Sequence, residues 1–304
     1  MKKILAFILI AFTVFSLISC NTDSSADNGE AGTSQNQTNN GSESGGQTTE
    51  KNEMIFSGLT VVDTEECFIK ITEIDADSIW GYTLKVQLEN RSEDKTYMFS
   101  VESAAINGVQ CDPLFANEVA AGKKANKDLS FSDSQFKESG IKEYTDIEIT
   151  FRVYDSDNWT ADNVAKKTVH VYPYGEAKAV KYVRASSPTD NIIVDNEYVT
   201  VIVTGYEQDS IWGYTVKLFL VNKTDKNIMF SADEVSVNGY MLDPLFAKSV
   251  SKNKCAFTSM SWSDSKFEAN GITEVEEIEF NIRVYDNEDW FDDDLVNKTV
   301  TVNP

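Results

Sequence analysis

The feature that most constrains this chain is a heptapeptide that occurs twice, first at residues 77–83 and again at residues 209–215. Both occurrences read Asp-Ser-Ile-Trp-Gly-Tyr-Thr. The match continues to Pro173 in the first copy and to Pro304 in the second, with one residue lost in the turn after Asn222. Such a match does not arise by chance, so the chain contains two copies of one folding unit.

The repeat sets the expected domain organisation. Each copy has about 120 residues, which is long enough to bury a core of its own and too long for the units of a solenoid. We therefore predict a first repeat at 53–173, a linker at 174–184 and a second repeat at 185–304. The basic residues of the linker favour a solvated hinge rather than a site, and they are Lys178, Lys181 and Arg184.

Within each copy the dominant hydrophobic period is two, which is typical of half-buried β-strands. Tyr82, Leu84, Val86 and Leu88 alternate with polar residues, and the second copy repeats the alternation from Tyr214. Asn-Gly pairs at 107–108 and 238–239 separate apolar runs, as two-residue hairpin turns require. One short helix is expected in each copy, at 132–140 and 263–271, with serine before it and glycine after it.

This pattern predicts an all-β protein. About seven strands per copy, spaced by turn signals, favour two tandem immunoglobulin-like β-sandwich domains after a signal peptide and a disordered tether. A small barrel is the alternative.

The N-terminus predicts export. Two lysines precede an apolar run from Ile4 to Ile18, which is the layout of a signal peptide over residues 1–19. A small residue directly before Cys20 resembles the lipobox of bacterial lipoproteins, and this resemblance implies lipid attachment at Cys20. Residues 20–52 are polar and lack the apolar surface needed to order themselves, so we expect a disordered tether.

The charge balance restricts the partners. The chain has 27 basic and 49 acidic residues and a net charge of -22. An acidic surface repels phosphate backbones and anionic headgroups, so we expect no nucleic-acid partner. The expected partners are the cell membrane, through the lipid anchor on its extracytoplasmic face, and an envelope or secreted protein.

The three remaining cysteines have no metal-site or redox spacing. Cys67 aligns with Val199 and Cys111 with Leu242, so we predict that both are small core residues. A disulfide between Cys67 and Cys111 stays open as an alternative, and it would leave Cys255 unpaired.

Catalytic chemistry has little support in the sequence. The single histidine, His170, lies between two valines, and the second copy has Thr301 at that position. Nucleophile-elbow, P-loop and zinc-protease motifs are absent from the sequence. We therefore predict no enzyme, no catalytic residue and no cofactor.

The best binding candidates are two acidic loops that carry tryptophan. The candidate residues are Asp155, Asp157 and Trp159 in the first copy and Asp286, Asp289 and Trp290 in the second. Clustered carboxylates are the ligands of calcium, but the spacing differs from that of an EF-hand, and acidic loops between strands are usually solvated. We therefore predict a ligand-binding surface with no metal.

The tryptophans of the heptapeptide, Trp80 and Trp212, are either surface platforms for a glycan or peptide or core and corner residues, and the second interpretation is favoured. Trp80 has the strand parity of Tyr82, which favours an inward side chain, and Gly81 would form a bulge that permits the inward turn. Trp212 is its equivalent. One outward position differs between the copies, because Phe219 stands where the first copy has Gln87.

Several of these motifs carry a resemblance to a known family. They are the Trp80–Val86 run, the Asn90 turn, the Asn107-Gly108 hairpin and the Asp112-Pro113-Leu114 corner. They resemble the repeated immunoglobulin-like domain of lipoproteins of unknown function from Gram-positive bacteria, and more distantly a secreted mycobacterial immunogenic β-sandwich. The resemblance implies a fold and no activity.

These observations predict a lipid-anchored, extracytoplasmic binding or adhesion-type module without catalytic activity. The expected ligand is a protein or a cell-envelope component, because two linked weak sites gain avidity. The alternative is an architectural spacer or a structural lipoprotein presented at the surface.

Overall fold

The structure is a computed structural model that describes residues 52–289 and 293–304. The predicted signal peptide, Cys20, nearly all of the predicted tether and Trp290 lie outside the described residues. Copy 1 below means residues 53–173, and copy 2 means residues 185–304.

The regular secondary structure of the described part of the chain is almost entirely β-strand. Copy 1 contains β1 (Leu59–Asp63), β2 (Cys67–Asp75), β3 (Tyr82–Asn90), β4 (Tyr97–Ile106), β5 (Val109–Cys111), β6 (Ala116–Val119), β7 (Lys124–Phe131), β8 (Ile147–Asp155) and β9 (Ala165–Val171). Copy 2 contains β10 (Asn191–Asp195), β11 (Val199–Ser210), β12 (Gly213–Asn222), β13 (Ile228–Val237), β14 (Tyr240–Met241), β15 (Ala247–Val250), β16 (Cys255–Trp262), β17 (Ile278–Asp286) and β18 (Val296–Val302).

The two copies have the same strand order. In copy 1 one sheet runs β1-β2-β3-β7, and the other runs β5-β4-β8-β9 with β6 paired to β4. In copy 2 the corresponding orders are β10-β11-β12-β16 and β14-β13-β17-β18, with β15 paired to β13. Each copy has its own buried cluster, and both of its sheets contribute to it. The predicted all-β sandwich fold is confirmed.

Alternation along the strands places the core as the sequence predicts. In β3 the side chains of Tyr82, Leu84, Val86 and Leu88 are buried, while Gln87 is half-buried on the outer face. The Asn-Gly hairpin is also confirmed: Asn107 and Gly108 have φ angles of 53° and 86°. Two successive positive φ angles are what a type I′ turn requires, and asparagine and glycine tolerate them best.

The predicted short helices differ between the copies. Copy 2 has an α-helix, α1 (Asp264–Ala269), whereas copy 1 has only a 3₁₀ turn at Asp133–Phe136. Both are shorter than the predicted segments, because their polar sequences bury only one aromatic residue each, Phe136 and Phe267. Isolated helices of this length are marginal without such packing.

The three cysteines among the described residues are free thiols, so the alternative of a bridge between Cys67 and Cys111 is not supported. Both are buried in the copy 1 core, as predicted. Burial raises the pKa of the Cys67 thiol, which makes it a poor nucleophile. Cys255 is half-buried where the two copies meet.

The copies contact one another through backbone pairing as well as side chains. The N–H of Cys255 donates to the carbonyl of Gly108 at 3.1 Å, and a parallel bridge between Cys255 and Val109 joins β16 to β5. Gln110 adds two hydrogen bonds, donating to the Ser249 carbonyl at 2.9 Å and accepting from the Ser251 N–H at 2.7 Å. One sheet therefore continues from copy 1 into copy 2.

The interpretation of the linker as a solvated hinge is wrong for Arg184. Its guanidinium makes a bidentate ion pair with Asp190, at 2.6 and 2.7 Å, and lies 5.4 Å from the ring centroid of Phe219. Phe219 is buried, and its ring lies 4.8 Å from that of Phe257. Tyr182 packs edge-to-face with Phe257, with a centroid distance of 6.1 Å. The linker thus covers an apolar patch that copy 1 lacks.

Candidate functional site

The repeated heptapeptide forms the tip of a hairpin in each copy. In copy 1 a four-residue turn runs from Ser78 to Gly81, whose N–H donates to the Ser78 carbonyl at 3.0 Å. The Ser78 hydroxyl also accepts from the N–H of Trp80 at 3.2 Å. Ile79 and Trp80 occupy the two central positions of this turn. We name Ser78–Gly81 the first tip.

The second tip, Ser210–Gly213, repeats this geometry between β11 and β12. Ser210 and Gly213 are paired across the hairpin, and the Ser210 hydroxyl accepts from the Trp212 N–H at 3.1 Å. The same hydroxyl lies 2.6 Å from the Gly213 carbonyl. Ile211 and Trp212 are again the two central residues.

Both central residues of both tips project into solvent. The exposed fraction is 91% for Ile79 and 70% for Trp80, and it is 92% for Ile211 and 63% for Trp212. The prediction of inward tryptophans is therefore wrong. Strand parity holds only within a strand, and β3 begins at Tyr82, so Trp80 lies in the turn where parity has no meaning.

The tip glycines have a different role from the predicted bulge. Gly81 and Gly213 have φ angles of 92° and 80°. A Cβ at Gly81 would lie 2.3 Å from the Phe131 carbonyl oxygen, and one at Gly213 would lie 2.2 Å from that of Trp262. Only glycine permits this approach of each tip to the end of the neighbouring strand.

A second exposed apolar residue lies at the same end of copy 2. Leu245 in the repeated Asp-Pro-Leu-Phe corner exchanges backbone hydrogen bonds with Ser261 of β16, which pairs with Thr215 just after the tip. Two strand spacings, about 10 Å in total, separate Leu245 from β12. Its equivalent in copy 1, Leu114, is also exposed.

The predicted acidic loops are held by their own aspartates. Asp155 accepts from the N–H of Asp157 at 3.1 Å and lies 3.6 Å from the Lys95 ammonium. Asp286 accepts from the Glu288 N–H at 2.9 Å and pairs with Lys226 at 2.8 Å, which lowers the pKa of Asp286. These two carboxylates therefore brace the loops in equivalent ways.

Of the other four predicted loop residues, three are exposed and one lies outside the described residues. Trp159 is exposed, and its carbonyl accepts from Arg152, which stacks on Tyr154 with a distance of 4.3 Å to the ring centroid. Asp157 and Asp289 lie on the exposed surface of their loops. Trp290 lies outside the described residues, so only Trp159 stays a described aromatic candidate here.

The structure separates the acidic loops from the tips. β3 starts at the first tip and runs for nine residues, about 30 Å, to Asn90. Asn90 donates to the Lys95 carbonyl at 2.7 Å, and Lys95 reaches Asp155. The first acidic loop therefore lies at the far end of the sandwich, and the predicted loops and the tips are two distinct surfaces.

His170 lies in a cleft of about 510 Å³ between the copies. Its Nδ1 is 2.7 Å from Asp146, and its ring stacks on Tyr172 at a centroid distance of 5.5 Å. Glu148, 3.4 Å from Nε2, also accepts from Lys254 of copy 2 at 2.5 Å. The contact between Glu148 and Lys254 connects the two copies beside His170.

The described residues contain neither a metal-binding cluster nor a membrane-spanning helix. Across 52–289 and 293–304, three or more histidine, cysteine or carboxylate side chains nowhere converge closely enough to hold a metal ion. Within the same ranges, the helices are too short or too polar to cross a bilayer.

The tips are the surface that sequence reasoning ranked second, because it favoured inward side chains for Trp80 and Trp212 over surface platforms. The signal was present, since a serine three residues before a glycine, between two strands, is typical of a tight turn. Its central residues must face outward, whatever their hydrophobicity. Leu114 and Leu245 were missed, because they follow a proline at a corner.

Comparisons with known proteins add little. No family model matches the chain, and no curated protein matches it. The YadV chaperone structure is similar at 10% identity and a TM-score of 0.23, over 72% of this chain and 92% of that chain. Red sea bream transglutaminase is similar at 12% identity and a TM-score of 0.23, over 80% of this chain and 31% of that chain. Both TM-scores are too low to carry an argument about fold or function.

Proposed function

We propose that this protein is a lipid-anchored, extracytoplasmic binding module of adhesion type that presents its hairpin tips to a protein or cell-envelope component. It acts without catalysis. The observation that carries the proposal is the exposure of an identical Ile-Trp pair at both tips.

The local physics of the turn supports this interpretation. Tight turns favour glycine, asparagine, aspartate, proline and serine, and a β-branched residue such as Ile79 gains nothing there. Exposed apolar side chains also carry an aggregation risk. The residues just before the tips differ between copies, Glu73–Ala76 against Gly205–Gln208, while the tips themselves are identical. Contact with a partner accounts for that difference.

The chemistry of the pair supports a binding role. Tryptophan offers a large contact area at low entropic cost and is enriched at the centres of protein interfaces. Two copies on one chain can bind together and gain avidity of about a hundredfold. The lipobox-like Cys20 and the polar segment after it favour presentation at the cell surface.

The test is retention of the purified chain from Asn21 to Pro304 on intact cells, wall fractions and immobilised secreted proteins. A variant with serine at Ile79, Trp80, Ile211 and Trp212 should lose retention by about a hundredfold, because both tips contribute to avidity. Replacing one tip alone should give a smaller loss. Unchanged retention of the four-residue variant contradicts the proposal, as does a wild-type chain that is retained nowhere.

Matched controls come from exposed apolar residues outside the tips. Val183→Ser in the linker and Met241→Ser in copy 2, where copy 1 has Gln110, remove exposed side chains that the copies do not share, so they should leave retention unchanged. Trp159→Ala tests the acidic loop separately, and a loss with this variant alone would move the binding surface to the far end of copy 1.

A second candidate is an architectural spacer. The observation that favours it is the backbone pairing of β16 with β5, which joins the copies. A spacer needs this pairing and has no use for the tips. The spacer would be favoured if the role of the protein in cells is unchanged in the tip variant and is lost when the Gln110 contacts are disrupted.

A further inference from the structure

A groove extends from the second tip along the outer face of the copy 2 sheet, and copy 1 forms its other wall. Its volume is about 530 Å³, which is within the range of small-molecule sites. The floor consists of outward side chains of β12 and β16, where Lys217 stands opposite Ser259. The wall includes Lys137 and Glu138, which follow the 3₁₀ turn of copy 1. We name this cleft the tip groove.

The exposed tryptophan of the second tip stands at one end of the tip groove. Trp212 is part of its lining, whereas Trp80, at the same position of the repeat, is not. Ion pairs hold the wall against the floor, because the Lys217 ammonium lies 3.3 Å from Glu138 of copy 1 and 3.0 Å from Glu207 of copy 2. The contact between the copies therefore gives the second tip a groove that its sequence alone, identical to that of the first tip, does not encode.

The charges in the tip groove favour a neutral ligand. Two lysines and two glutamates line it, and they are Lys137, Lys217, Glu138 and Glu207. Their formal charges cancel, so the groove as a whole attracts neither an anion nor a cation.

The order of the side chains along the tip groove narrows the ligand further. From the tip, Trp212 is followed by Thr215, then by Lys217 opposite Ser259, and then by Phe257. The aromatic rings therefore lie at the two ends, and the middle offers hydroxyl and charged groups. Protein interfaces place apolar side chains at their centre, so a polypeptide would match this order poorly. Along β12 the distance from Thr215 to the residue opposite Phe257 is about 14 Å, which accommodates two or more linked sugar rings.

A sugar ring matches both kinds of surface in the tip groove. One face of a pyranose carries C–H groups, which pack on the negative face of an indole ring, and its edge carries hydroxyl groups, which donate and accept hydrogen bonds. Among the described residues, neither the Lys137 ammonium nor the Ser259 hydroxyl has a protein partner, so both are available to a ligand. The carboxylates of Glu138 and Glu207 can accept from further hydroxyl groups.

We propose that the tip groove binds a neutral oligosaccharide, with one ring stacked on Trp212 and hydroxyl groups hydrogen-bonded to Lys137 and Ser259. This inference rests on the proposed function and gives the chemistry of the envelope component at the second tip. The first tip does not contribute to this binding.

The probes are three neutral trisaccharides, namely maltotriose, mannotriose and N,N′,N″-triacetylchitotriose. Each is titrated into the whole chain in a polyoxyethylene detergent, which contains no sugar, and saturation-transfer NMR measures binding. At least one trisaccharide should bind. Trigalacturonate, which has a similar size and three carboxylates, should bind about tenfold more weakly than that sugar, because the groove has no net positive charge to offset the desolvation of its carboxylates.

The decisive variant is Trp212→Ala, which should weaken binding of the trisaccharide about tenfold or more, because the stacking surface is lost. Trp80→Ala is the matched control from the identical heptapeptide and should leave binding unchanged. Both side chains are exposed, so both melting temperatures should stay close to that of the wild type.

A second pair of variants tests the wall from copy 1. Lys137→Met removes the N–H donors, keeps the aliphatic stem and should weaken binding about fivefold. Lys142→Met is its control, because Lys142 is also exposed but does not line the tip groove, and it should leave binding unchanged.

Three results would overturn the inference. They are failure of all three neutral trisaccharides to bind, binding of trigalacturonate as tight as that of the neutral sugar, and equal losses for Trp212→Ala and Trp80→Ala. A tryptic digest of casein tests the polypeptide alternative. Peptides that bind through Trp212 while no trisaccharide binds would assign the groove to a protein ligand instead.

The proposed function is judged separately, by the retention of the four-residue tip variant on cells. Tip-dependent retention without sugar binding leaves that function standing and removes the inference. Sugar binding without tip-dependent retention leaves only the tip groove.

Discussion

The outer faces of the two equivalent sheets differ at several cross-strand pairs, one of which is aromatic in copy 2 alone. In copy 1 Gln87 of β3 stands opposite Asn126 of β7, and both face outward. In copy 2 the same pair is Phe219 opposite Phe257, which the linker covers through Arg184. The two folds are the same, so this pair is not needed for the sandwich. It packs against the linker.

A neighbouring lysine position also has different partners in the two copies. Lys85 of copy 1 donates to Asp128 at 2.9 Å within its own sheet. Its equivalent, Lys217, has Ser259 at the position of Asp128; it pairs with Glu207 of its own sheet at 3.0 Å and also with Glu138 of copy 1 at 3.3 Å. The copies have therefore diverged where they touch and remained identical at the tips, whose isoleucine and tryptophan side chains are exposed.

The largest expected effect tests a position that the copies share. Gly81→Ala and Gly213→Ala should each lower the free energy of unfolding by about 3 kcal/mol, since both positive φ and a backbone clash oppose the new Cβ. Chemical denaturation followed by circular dichroism measures it. Gly140→Ala and Gly271→Ala are the controls, because both glycines have positive φ but no atom lies within 4 Å of the new Cβ. Each should lower the free energy of unfolding by about 1 kcal/mol. Equal costs at all four glycines would contradict the role of the close approach.

The next effect tests the difference between the outer faces. Phe219→Gln places the copy 1 residue in copy 2 and should lower the free energy of unfolding by about 2 kcal/mol, because a buried aromatic contact is lost. Gln87→Phe makes the reverse change on the equivalent face of copy 1, where the linker does not pack. It should change the free energy of unfolding by less than about 0.5 kcal/mol. Similar losses for both variants, again from denaturant titration, would show that the linker does not protect Phe219.

The smallest effect concerns the ion pair that holds the linker. Hydrogen bonds from Arg184 and then from the Ser187 N–H lower the pKa of Asp190 from its ordinary 3.8 to about 2. Since the folded chain holds this proton less tightly than the unfolded chain does, the stabilisation is complete above about pH 4 and is lost as the pH falls towards 2.

The melting temperature of Asp190→Asn should therefore fall below that of the wild type near neutral pH, and the difference should shrink between about pH 4 and pH 2. Asp195→Asn removes the exposed pair with Lys223 and serves as the control. It should have a smaller effect, because solvent screens exposed pairs. A constant difference for Asp190→Asn across this range would exclude the titration of Asp190 as its cause.

Much of the fold could be predicted from the sequence, because its signals are local. Alternation along β3 decides which side chains enter the core, and the Asn107-Gly108 pair decides where a hairpin turns. The repeat adds independent evidence, since Cys67 against Val199 identifies a core position without any structure. The candidate site was harder to predict from the sequence. The prediction of an inward Trp80 is wrong because it applies strand parity to a residue that precedes the first residue of β3.

The sequence by itself determined the all-β sandwich, its duplication and the position of each hairpin, because periodicity and turn chemistry act over a few residues. Only the tertiary structure decided what lies outside the core. It placed Ile79 and Trp80 at an exposed tip, covered Phe219 with Arg184, and left the hydroxyls of Tyr82 and Tyr214 buried without partners. These outcomes depend on which distant segments meet a given side chain, and spacing along the chain carries no record of that.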